Sequence, residues 1–305
     1  MNKKIETVNE SNLADLITHN GTFHADEVFA TVVLSRILEK ENIKLCRTSG
    51  ITQEEKGIVY DVGYGKYDHH QPGGNGEREN GVKYAAFGLI WKKFGKKYLE
   101  SINVSNIDDV WEAIDKKLVQ NIDLIDNGQL GKLTQFDFEI ITLSGLISMY
   151  NSNWDDKTEN QDSQFLEAVK LASTIFDRIV KNAISKMNAK AKINKAIGEA
   201  KNQILILDEF MPWKEFLLEN EKGKDILFVV FPSNRGGYNV YAVPKELGSF
   251  ESRKLFPEEW AGLKDEDLKK VCGVNTATFC HTNRFISVAK TEEDAIEMAK
   301  IAVKN

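Results

Sequence analysis

The chain has 305 residues, of which 42% are hydrophobic and 28% charged, a composition typical of a globular protein long enough for two domains. Its formal net charge of -6 excludes a general nucleic-acid coat protein, which would be strongly basic, but not a local basic groove. Three scattered cysteines exclude a disulfide framework and a four-cysteine zinc site. No apolar run approaches the ~18 residues of a membrane span, and the N-terminus has no signal-peptide core, so we expect a cytoplasmic protein without a membrane partner.

The first half of the chain alternates short apolar runs with helical patterns, which is typical of a parallel sheet with crossover helices. Apolar runs predict strands at residues 13–18, 43–47 and 58–62. Residues 27–38 are apolar on most sides of a helix, so we expect that helix to be buried. A second helical pattern covers residues 84–124, with a break expected near Phe94 and Gly95.

The second half is predicted to begin after a polar loop at residues 151–163. One long helical pattern without proline follows, over residues 165–200, and a final helix is expected at residues 292–303. Between them, apolar runs predict strands at residues 204–207, 226–231 and 238–243. These patterns predict an α/β protein with an N-terminal domain at residues 1–165, a helical connector at 166–200 and an α/β domain at 201–305.

Four of the five histidines fall in the first 70 residues, each pair just beyond a predicted strand. They are His19, His24, His69 and His70. Aspartates lie close to these histidines, at the end of the strand predicted at residues 58–62, and at the end of the second helical pattern: Asp26, Asp68, Asp61, Asp123 and Asp126. Ligands in open α/β sheets collect at the carboxyl ends of strands, where the histidine segments are expected to lie. A single histidine there would more often be structural, but this clustering favours a metal site.

Imidazoles with carboxylates form a ligand set that suits Mn²⁺, Fe²⁺, Co²⁺ or Zn²⁺. Three histidines and three aspartates suffice for two ions if one carboxylate bridges them. Two such ions can activate a hydroxide and stabilise the oxyanions of an in-line displacement at phosphorus. The residues therefore predict a metal-dependent phosphoesterase.

The segment Asp68-His69-His70 resembles the motif that names the DHH phosphoesterase superfamily. The stretches THNGTFHADE, YDVG, YDHHQ and IDLIDNG resemble one branch more closely, the melanocyte-proliferating-gene family of metal-dependent hydrolases. The C-terminal run from Ala242 to Ile286 is similar to that family too, so the resemblance spans nearly the whole chain. It implies a DHH-like N-terminal domain with a mainly parallel sheet flanked by helices, a long connector helix, and a smaller α/β domain that binds substrate.

The resemblance also assigns roles to individual residues. The implied metal ligands are His19, His24, Asp26, Asp61, His69 and either Asp126 or Asp123, which the sequence does not rank securely. Asp61 would bridge two divalent ions, with Mn²⁺ expected ahead of Zn²⁺, Fe²⁺, Co²⁺ or Mg²⁺. Asp68 and His70 would support His69 or contact the phosphate, which makes Asp61, Asp68, His69 and His70 the implied catalytic group.

Three departures from the wider superfamily bear on substrate handling. The first motif has His24 and Asp26 where Asp-x-Asp is usual, which affects the preferred metal. Ala85 and Ala86 replace a common Ser-Ser pair, so two phosphate-facing hydroxyls are missing. Ser287 follows Ile286, where many relatives continue into Gly-Gly-His.

A phosphoester substrate needs cationic groups to neutralise its oxygens, and arginine suits this through its planar fork. The predicted substrate contacts are Arg253, His281, Arg47, Arg284 and Arg235, although an arginine at a domain edge is usually solvated. Arg235 precedes Gly236 and Gly237, a pair that more often forms a hairpin turn than a ligand site.

Three functions are weighed. The leading one, which the resemblance to eukaryotic members implies, is 3′-to-5′ exonuclease action on short RNA. The second is hydrolysis of a small phosphoanhydride such as pyrophosphate, which the scarcity of Lys and Arg in the motif segments weakens. The third is a non-catalytic metal or nucleotide sensor, which a nearly complete ligand set disfavours. A homodimer is compatible with the sequence.

Overall fold

The computed structural model of the chain describes residues 3–51, 55–135, 137–138, 140–156 and 160–305. The chain forms two compact units, Met1–Ile184 and Ser185–Asn305, and the division falls inside one long helix. Each unit combines a β-sheet with helices, so the predicted α/β class is confirmed.

The first unit is built on a parallel sheet, as predicted. Its strands are β1 (Lys4–Thr7), β2 (Leu16–His19), β3 (Asn42–Thr48) and β4 (Ile58–Val59), paired in the order β1-β3-β2-β4. Its helices are α1 (Ala25–Ile37), α2 (Ala86–Ser101), α3 (Ile107–Ile114), α4 (Gln120–Asp126), α5 (Leu143–Ser148) and the first part of α6 (Gln161–Glu199). A π-helical turn, Asp115–Val119, joins α3 to α4.

The strand order places a crevice at one edge of this sheet. The chain passes from β2 through α1 to β3 on one side of β2, and then returns to β4 on the other side. All neighbouring strands are parallel, so their carboxyl ends meet at the same edge. Such a reversal in strand order is where open α/β sheets bind ligands.

Helix α1 lies in the core of the first unit, as its apolar pattern predicted. Every residue from Ala25 to Ser35 is buried, because the helix packs against α2 on one side and contacts β2, α4 and α5 elsewhere. Asp26 and Glu27 in its first turn are also fully buried. Buried carboxylates require partners or ions, since desolvation penalises an isolated charge.

The helix break expected near Phe94 and Gly95 is wrong, because α2 continues through both residues. A Cβ on Gly95 would lie 2.7 Å from the Trp91 ring and 2.8 Å from Trp111 Nε1. The two indole rings stack with centroids 6.3 Å apart. Gly95 therefore permits a close approach of side chains and does not end the helix.

The second unit has a mixed sheet. Its strands are β5 (Ile204–Ile206), β6 (Phe228–Pro232), β7 (Tyr238–Ala242), β8 (Ala277–Cys280) and β9 (Ile286–Ala289), in the order β5-β6-β7-β9-β8. Only the β5–β6 pair is parallel in this sheet. The helices are the end of α6, α7 (Trp213–Glu219), α8 (Asp265–Cys272) and α9 (Glu292–Lys304).

Helix α9 packs on one face of this second sheet, and Ala295, Met298 and Ala299 join the strand residues Val230 and Val240 in its core. Gly236 and Gly237 form the predicted hairpin turn between β6 and β7, both with positive φ. A Cβ on Gly237 would lie 2.4 Å from the Ala289 carbonyl oxygen, so that glycine is required by packing as well as by conformation.

The polar loop predicted at residues 151–163 ends early, because α6 begins at Gln161, and residues 157–159 of that prediction lie outside the described residues. Within the described residues, no helix has both the length and the apolar character needed to cross a membrane.

Candidate active site

The carboxyl ends of β2 and β4 bring His19 and Asp61 together. Ile17 pairs with Val59, and Tyr60 N donates to Ile17 O, so the two chains leave the sheet side by side. Asp61 then adopts a left-handed conformation with φ 55°. Aspartate tolerates this region better than most residues, and such conformations concentrate at functional sites.

The two carboxylate oxygens of Asp61 face two different histidines. His19 Nε2 lies 3.3 Å from Asp61 Oδ2, and His69 Nδ1 lies 3.4 Å from Asp61 Oδ1. Burial disfavours the charged carboxylate, but the two imidazoles outweigh it and hold the pKa of Asp61 below its usual range. Asp61 is 2% exposed, so these groups interact in a region that excludes most water.

Both histidines are correspondingly basic in the metal-free protein. Burial opposes the charged imidazole of His19, but Asp61 and Glu27 together raise its pKa to about 10. Burial likewise opposes the charged form of His69, but Asp126, 2.8 Å away at Nε2, and Asp61 raise its pKa to about 10. Protons on the two imidazoles therefore offset part of the negative charge of the carboxylates.

Asp26 and Asp126 complete the same cluster. Suitable ligand atoms of His24, Asp26 and Asp126 lie within 4.8 Å of one another, as do those of Asp26, Glu27 and Asp61. Burial, and then the charges of Asp61 and Asp126, raise the pKa of Asp26. Its Oδ2 accepts from Ala86 N at 3.3 Å.

The donor set fits divalent metal ions. Asp26 Oδ1, both Asp61 oxygens and His69 Nδ1 are buried and make no hydrogen bond of good geometry within the described chain, although the Asp61 oxygens lie 3.3 and 3.4 Å from imidazole nitrogens. Buried polar atoms without partners are rare, and here they converge in a mixed nitrogen and oxygen cluster. These groups are capable of holding metal through His19, His24, Asp26, Asp61, His69 and Asp126.

Glu27 belongs to this cluster, although the sequence analysis did not single it out. Its Oε1 lies 3.0 Å from His19 Nε2, and its carboxylate accepts from His24 N at 2.9 and 3.0 Å. His24 immediately precedes helix α1, and Glu27 lies three residues after it. This is the capping-box position for a glutamate, whose side chain turns back toward the start of the helix. That spacing was a signal in the sequence.

Asp68 and His70 form a pair at the edge of the cluster, and His70 Nδ1 lies 3.5 Å from Asp61 Oδ1. His70 Nδ1 lies 2.8 Å from Asp68 Oδ1, which also accepts from His70 N at 3.0 Å. Asp68 is buried, whereas the His70 side chain is 52% exposed. The carboxylate therefore orients an imidazole whose far nitrogen is accessible to a ligand.

Asp123 has different surroundings from Asp126, its competitor in the sequence analysis. Asp123 Oδ2 pairs with Arg78 Nη1 at 2.8 Å, and Oδ1 accepts from Gly88 N at 3.0 Å. Arg78 also binds Asp115 through two nitrogens, at 2.9 and 3.1 Å. Burial raises the pKa of Asp123 to about 7 although Arg78 opposes the shift. Asp126 is the carboxylate beside His69, and Asp123 ties α4 to α2 and the preceding loop.

A cavity of about 560 Å³ opens over the cluster. Its described lining includes His24, Asp61, His69, His70 and Asp126, but no lysine or arginine. Ser144, at the start of α5, also lines it, and Ser144 Oγ is buried without a hydrogen-bond partner among the described residues. Ser144 is not among the residues predicted from the sequence, because α5 was not predicted.

Arg47, a predicted substrate contact, is engaged by the protein. Its Nη1 binds Asp162 Oδ1 at 3.0 Å, and its Nη2 donates to Gly21 O at 2.6 Å. The guanidinium also lies 4.7 Å from the Phe165 ring centroid. These contacts hold the loop that carries His19 and His24.

In the second unit, the other predicted substrate contacts lie at two ends of the sheet. Arg253 Nη1 donates to the carbonyls of Gly223, Lys224 and Ile226, at 2.6, 2.9 and 2.9 Å. Arg253 N bonds Val243 O just after β7, so this arginine lies at the end of the sheet opposite the β6–β7 turn.

His281 and Arg284 lie in the turn between β8 and β9, which adjoins that same end of β7 because Tyr241 pairs with Ile286. The His281 and Phe285 rings are tilted by 49° with their centroids 4.5 Å apart, and Arg284 Nη1 donates to Phe256 O at 3.3 Å. Arg235 lies in the β6–β7 turn at the opposite end, so it is not grouped with the other three.

Comparison with known proteins identifies the family. The family model MYG1_exonuc, described as an uncharacterised protein family (UPF0160), matches residues 15–303. The chain is 33% identical to the MYG1 protein YER156C of Saccharomyces cerevisiae, over 94% of this chain and 95% of the yeast protein.

The chain is 32% identical to the MYG1 exonuclease of Rattus norvegicus, over 93% of this chain and 83% of the rat protein. It is 30% identical to the MYG1 exonuclease of Homo sapiens, over 93% of this chain and 84% of the human protein. No solved structure gives a significant match. The resemblance drawn from the motifs is confirmed, as is the assignment to hydrolases of the exonuclease type. The chain belongs to the MYG1 exonuclease family.

Proposed function

We propose that this protein is a metal-dependent phosphodiesterase that removes nucleotides from the 3′ end of short RNA. The observation that carries the proposal is Asp61, whose two oxygens face His19 and His69 inside a cluster of buried carboxylates. The exonuclease names of the mammalian relatives support the reaction class. RNA and the direction of cleavage come from the family resemblance.

We assign the ligands to two neighbouring ion sites that share Asp61. These sites would be formed by His19, His24, Asp26, His69 and Asp126 together with Asp61. Bound divalent ions would lower the pKa of water and neutralise phosphate oxygens. We choose Asp126 over Asp123 because Asp126 adjoins His69, whereas Asp123 is already paired with Arg78.

The remaining groups of the site would handle the substrate. Asp68 holds His70 so that its exposed nitrogen can donate a proton or hydrogen bond to the phosphodiester. Ser144 Oγ can donate to a non-bridging oxygen, which would replace a hydroxyl lost at Ala85 and Ala86. Glu27 would orient His19 and fix the start of α1.

Pyrophosphatase action is the second candidate and is weaker. A small, highly charged phosphoanhydride requires several cationic groups, and no lysine or arginine lines the cavity in the described chain. A monoester or diester phosphate carries less charge, so metal ions, hydroxyl and imidazole suffice to bind it.

The test uses protein stripped of metal and reloaded separately with Mn²⁺, Mg²⁺ or Zn²⁺. A short RNA labelled at its 5′ end should shorten stepwise, and the products should be nucleoside 5′-monophosphates. His69→Ala should abolish shortening, whereas Arg178→Ala, on the surface of α6, should not. Rapid pyrophosphate hydrolysis without RNA cleavage would reject the proposal in favour of the second candidate. Metal binding without either activity would favour a sensor.

A further inference from the structure

A second cavity of about 830 Å³ lies beside the metal-binding cluster in the first unit. Its described lining comes from residues 125–149, and seven of its fourteen residues have apolar side chains. Leu133, Phe138, Ile141 and Met149 line it and are 46%, 63%, 62% and 66% exposed, respectively. A contiguous exposed apolar surface of this kind marks a binding site more often than a free surface.

This apolar cavity adjoins the cavity over the cluster. Ile125, Thr142, Gly145 and Ser148 line both. The shared wall is fixed at the start of α5, because Thr142 Oγ1 accepts from Gly145 N at 3.0 Å. A ligand whose phosphate lies near His69 and Asp126 can therefore extend a neighbouring group past this wall into the apolar cavity.

The charges of the apolar cavity point to an uncharged occupant. Lys132 and Asp137 are the charged residues in its described lining, and their opposite charges offset each other. A phosphate would gain little there, whereas a flat heterocycle with polar edges could contact Phe138 and Met149 and bond to hydroxyls. Base contacts with aromatic side chains are sequence-tolerant and contribute strongly to single-strand binding.

We propose that the apolar cavity binds the base of the terminal nucleotide during its removal. This inference rests on the proposed function. It adds that the protein prefers a nucleotide to a bare phosphate because the cavity binds the base. The volume is within the range of small-molecule sites, so the cavity can hold one base with its sugar. The binding should tolerate different bases, because an apolar wall reads few hydrogen-bonding edges.

The test compares the binding of adenosine 5′-monophosphate and ribose 5-phosphate to Mn²⁺-loaded protein by calorimetry. The two ligands share the sugar phosphate and differ in the base. We expect the nucleotide to bind about tenfold more tightly. Phe138→Ala and Met149→Ala should each remove most of that preference, while Trp154→Ala, 96% exposed and outside the lining, should keep it.

Equal affinity of both ligands for the wild-type protein would overturn the inference, as would a preference that both lining variants retain. A dimer in light scattering that dissociates in Phe138→Ala would also overturn it, because a second copy would then cover the cavity. RNA cleavage together with equal affinity for adenosine 5′-monophosphate and ribose 5-phosphate would reject this inference alone. Base preference without RNA cleavage would reject the proposed function and leave the base site standing.

Discussion

Arg78 holds two buried carboxylates, and its removal should destabilise the first unit strongly. The Arg78 side chain is 8% exposed, and those of Asp115 and Asp123 are 7% and 0% exposed. Arg78→Met keeps the length and apolar stem of the side chain but leaves both carboxylates without their cation. Breaking a buried ion pair in this way costs about 3–5 kcal/mol in the free energy of unfolding.

The loss should grow with pH, because Asp123 can take up a proton. The pKa of Asp123 in the folded state, about 7, lies above the usual value near 3.8. Proton binding to Asp123 therefore adds fully to the free energy of unfolding below pH 3.8, and this addition is lost as pH rises through 7. Without Arg78 that pKa rises further, so the variant goes on losing stability above pH 7. Between pH 6 and 8.5 the difference between the two proteins should widen by about 2 kcal/mol.

Urea unfolding of the metal-free proteins at pH 6 and pH 8.5 measures both effects. The control is Arg36→Met, since Arg36 pairs at 2.8 Å with Asp177, whose side chain is 47% exposed. Because its carboxylate is solvated, although the Arg36 side chain is only 16% exposed, that pair should contribute about 0–1 kcal/mol, with little dependence on pH in this interval. A loss for Arg78→Met no larger than the control, or one that shrinks as pH rises, would refute the reasoning.

Three further outcomes follow from the geometry. Loading metal at pH 8 should release at least two protons per chain, because His19 and His69 have pKa values of about 10 and must bind metal as neutral imidazoles, and the pKa of Asp26 is raised too. Calorimetry in buffers of different ionisation enthalpy measures the release, and a binding heat that is the same in every buffer would contradict it. Gly95→Ala should lower the free energy of unfolding, because overpacking against two indole rings costs about 1–3 kcal/mol and exceeds the roughly 1 kcal/mol gained in helix propensity. A variant that is more stable than the wild type in urea unfolding would contradict this prediction. Asp126→Asn should weaken metal affinity at least about tenfold in a Mn²⁺ titration, whereas Asp123→Asn should change it little, and the reverse order would exchange their roles.

The sequence was most informative where a strand leads directly into a helix. The apolar run before His19 and the buried helix after Asp26 were predicted from hydrophobic patterning, and strand order then explains why their side chains meet Asp61. The final helix, α9, was predicted for the same reason, since its apolar positions repeat at helical spacing.

Short or polar elements were missed. Strand β1, Lys-Ile-Glu-Thr, alternates too briefly to stand out, and it is fixed only by pairing with β3. Helix α8 is highly charged and was not recognised, and strands β8 and β9 have four residues each. Their stability comes from tertiary packing, which local patterns do not record.

The parts of the site that depend on distant contacts could not be read from the sequence. Arg78 and Asp123 are 45 positions apart, and only the packing of α4 against α2 brings them together. Ser144 reaches the cavity through α5, a six-residue helix. Glu27, by contrast, has a capping-box spacing that is visible in the sequence.

The central claim is that Asp61 joins two ion sites, and counting bound metal in Asp61→Asn tests it most directly. Asparagine has nearly the same shape and also tolerates the left-handed conformation at φ 55°, so the fold should persist. Elemental analysis after Mn²⁺ loading should find two ions per wild-type chain and at most one in the variant, which should also be inactive on RNA. A variant that retains two ions and full activity would contradict the account.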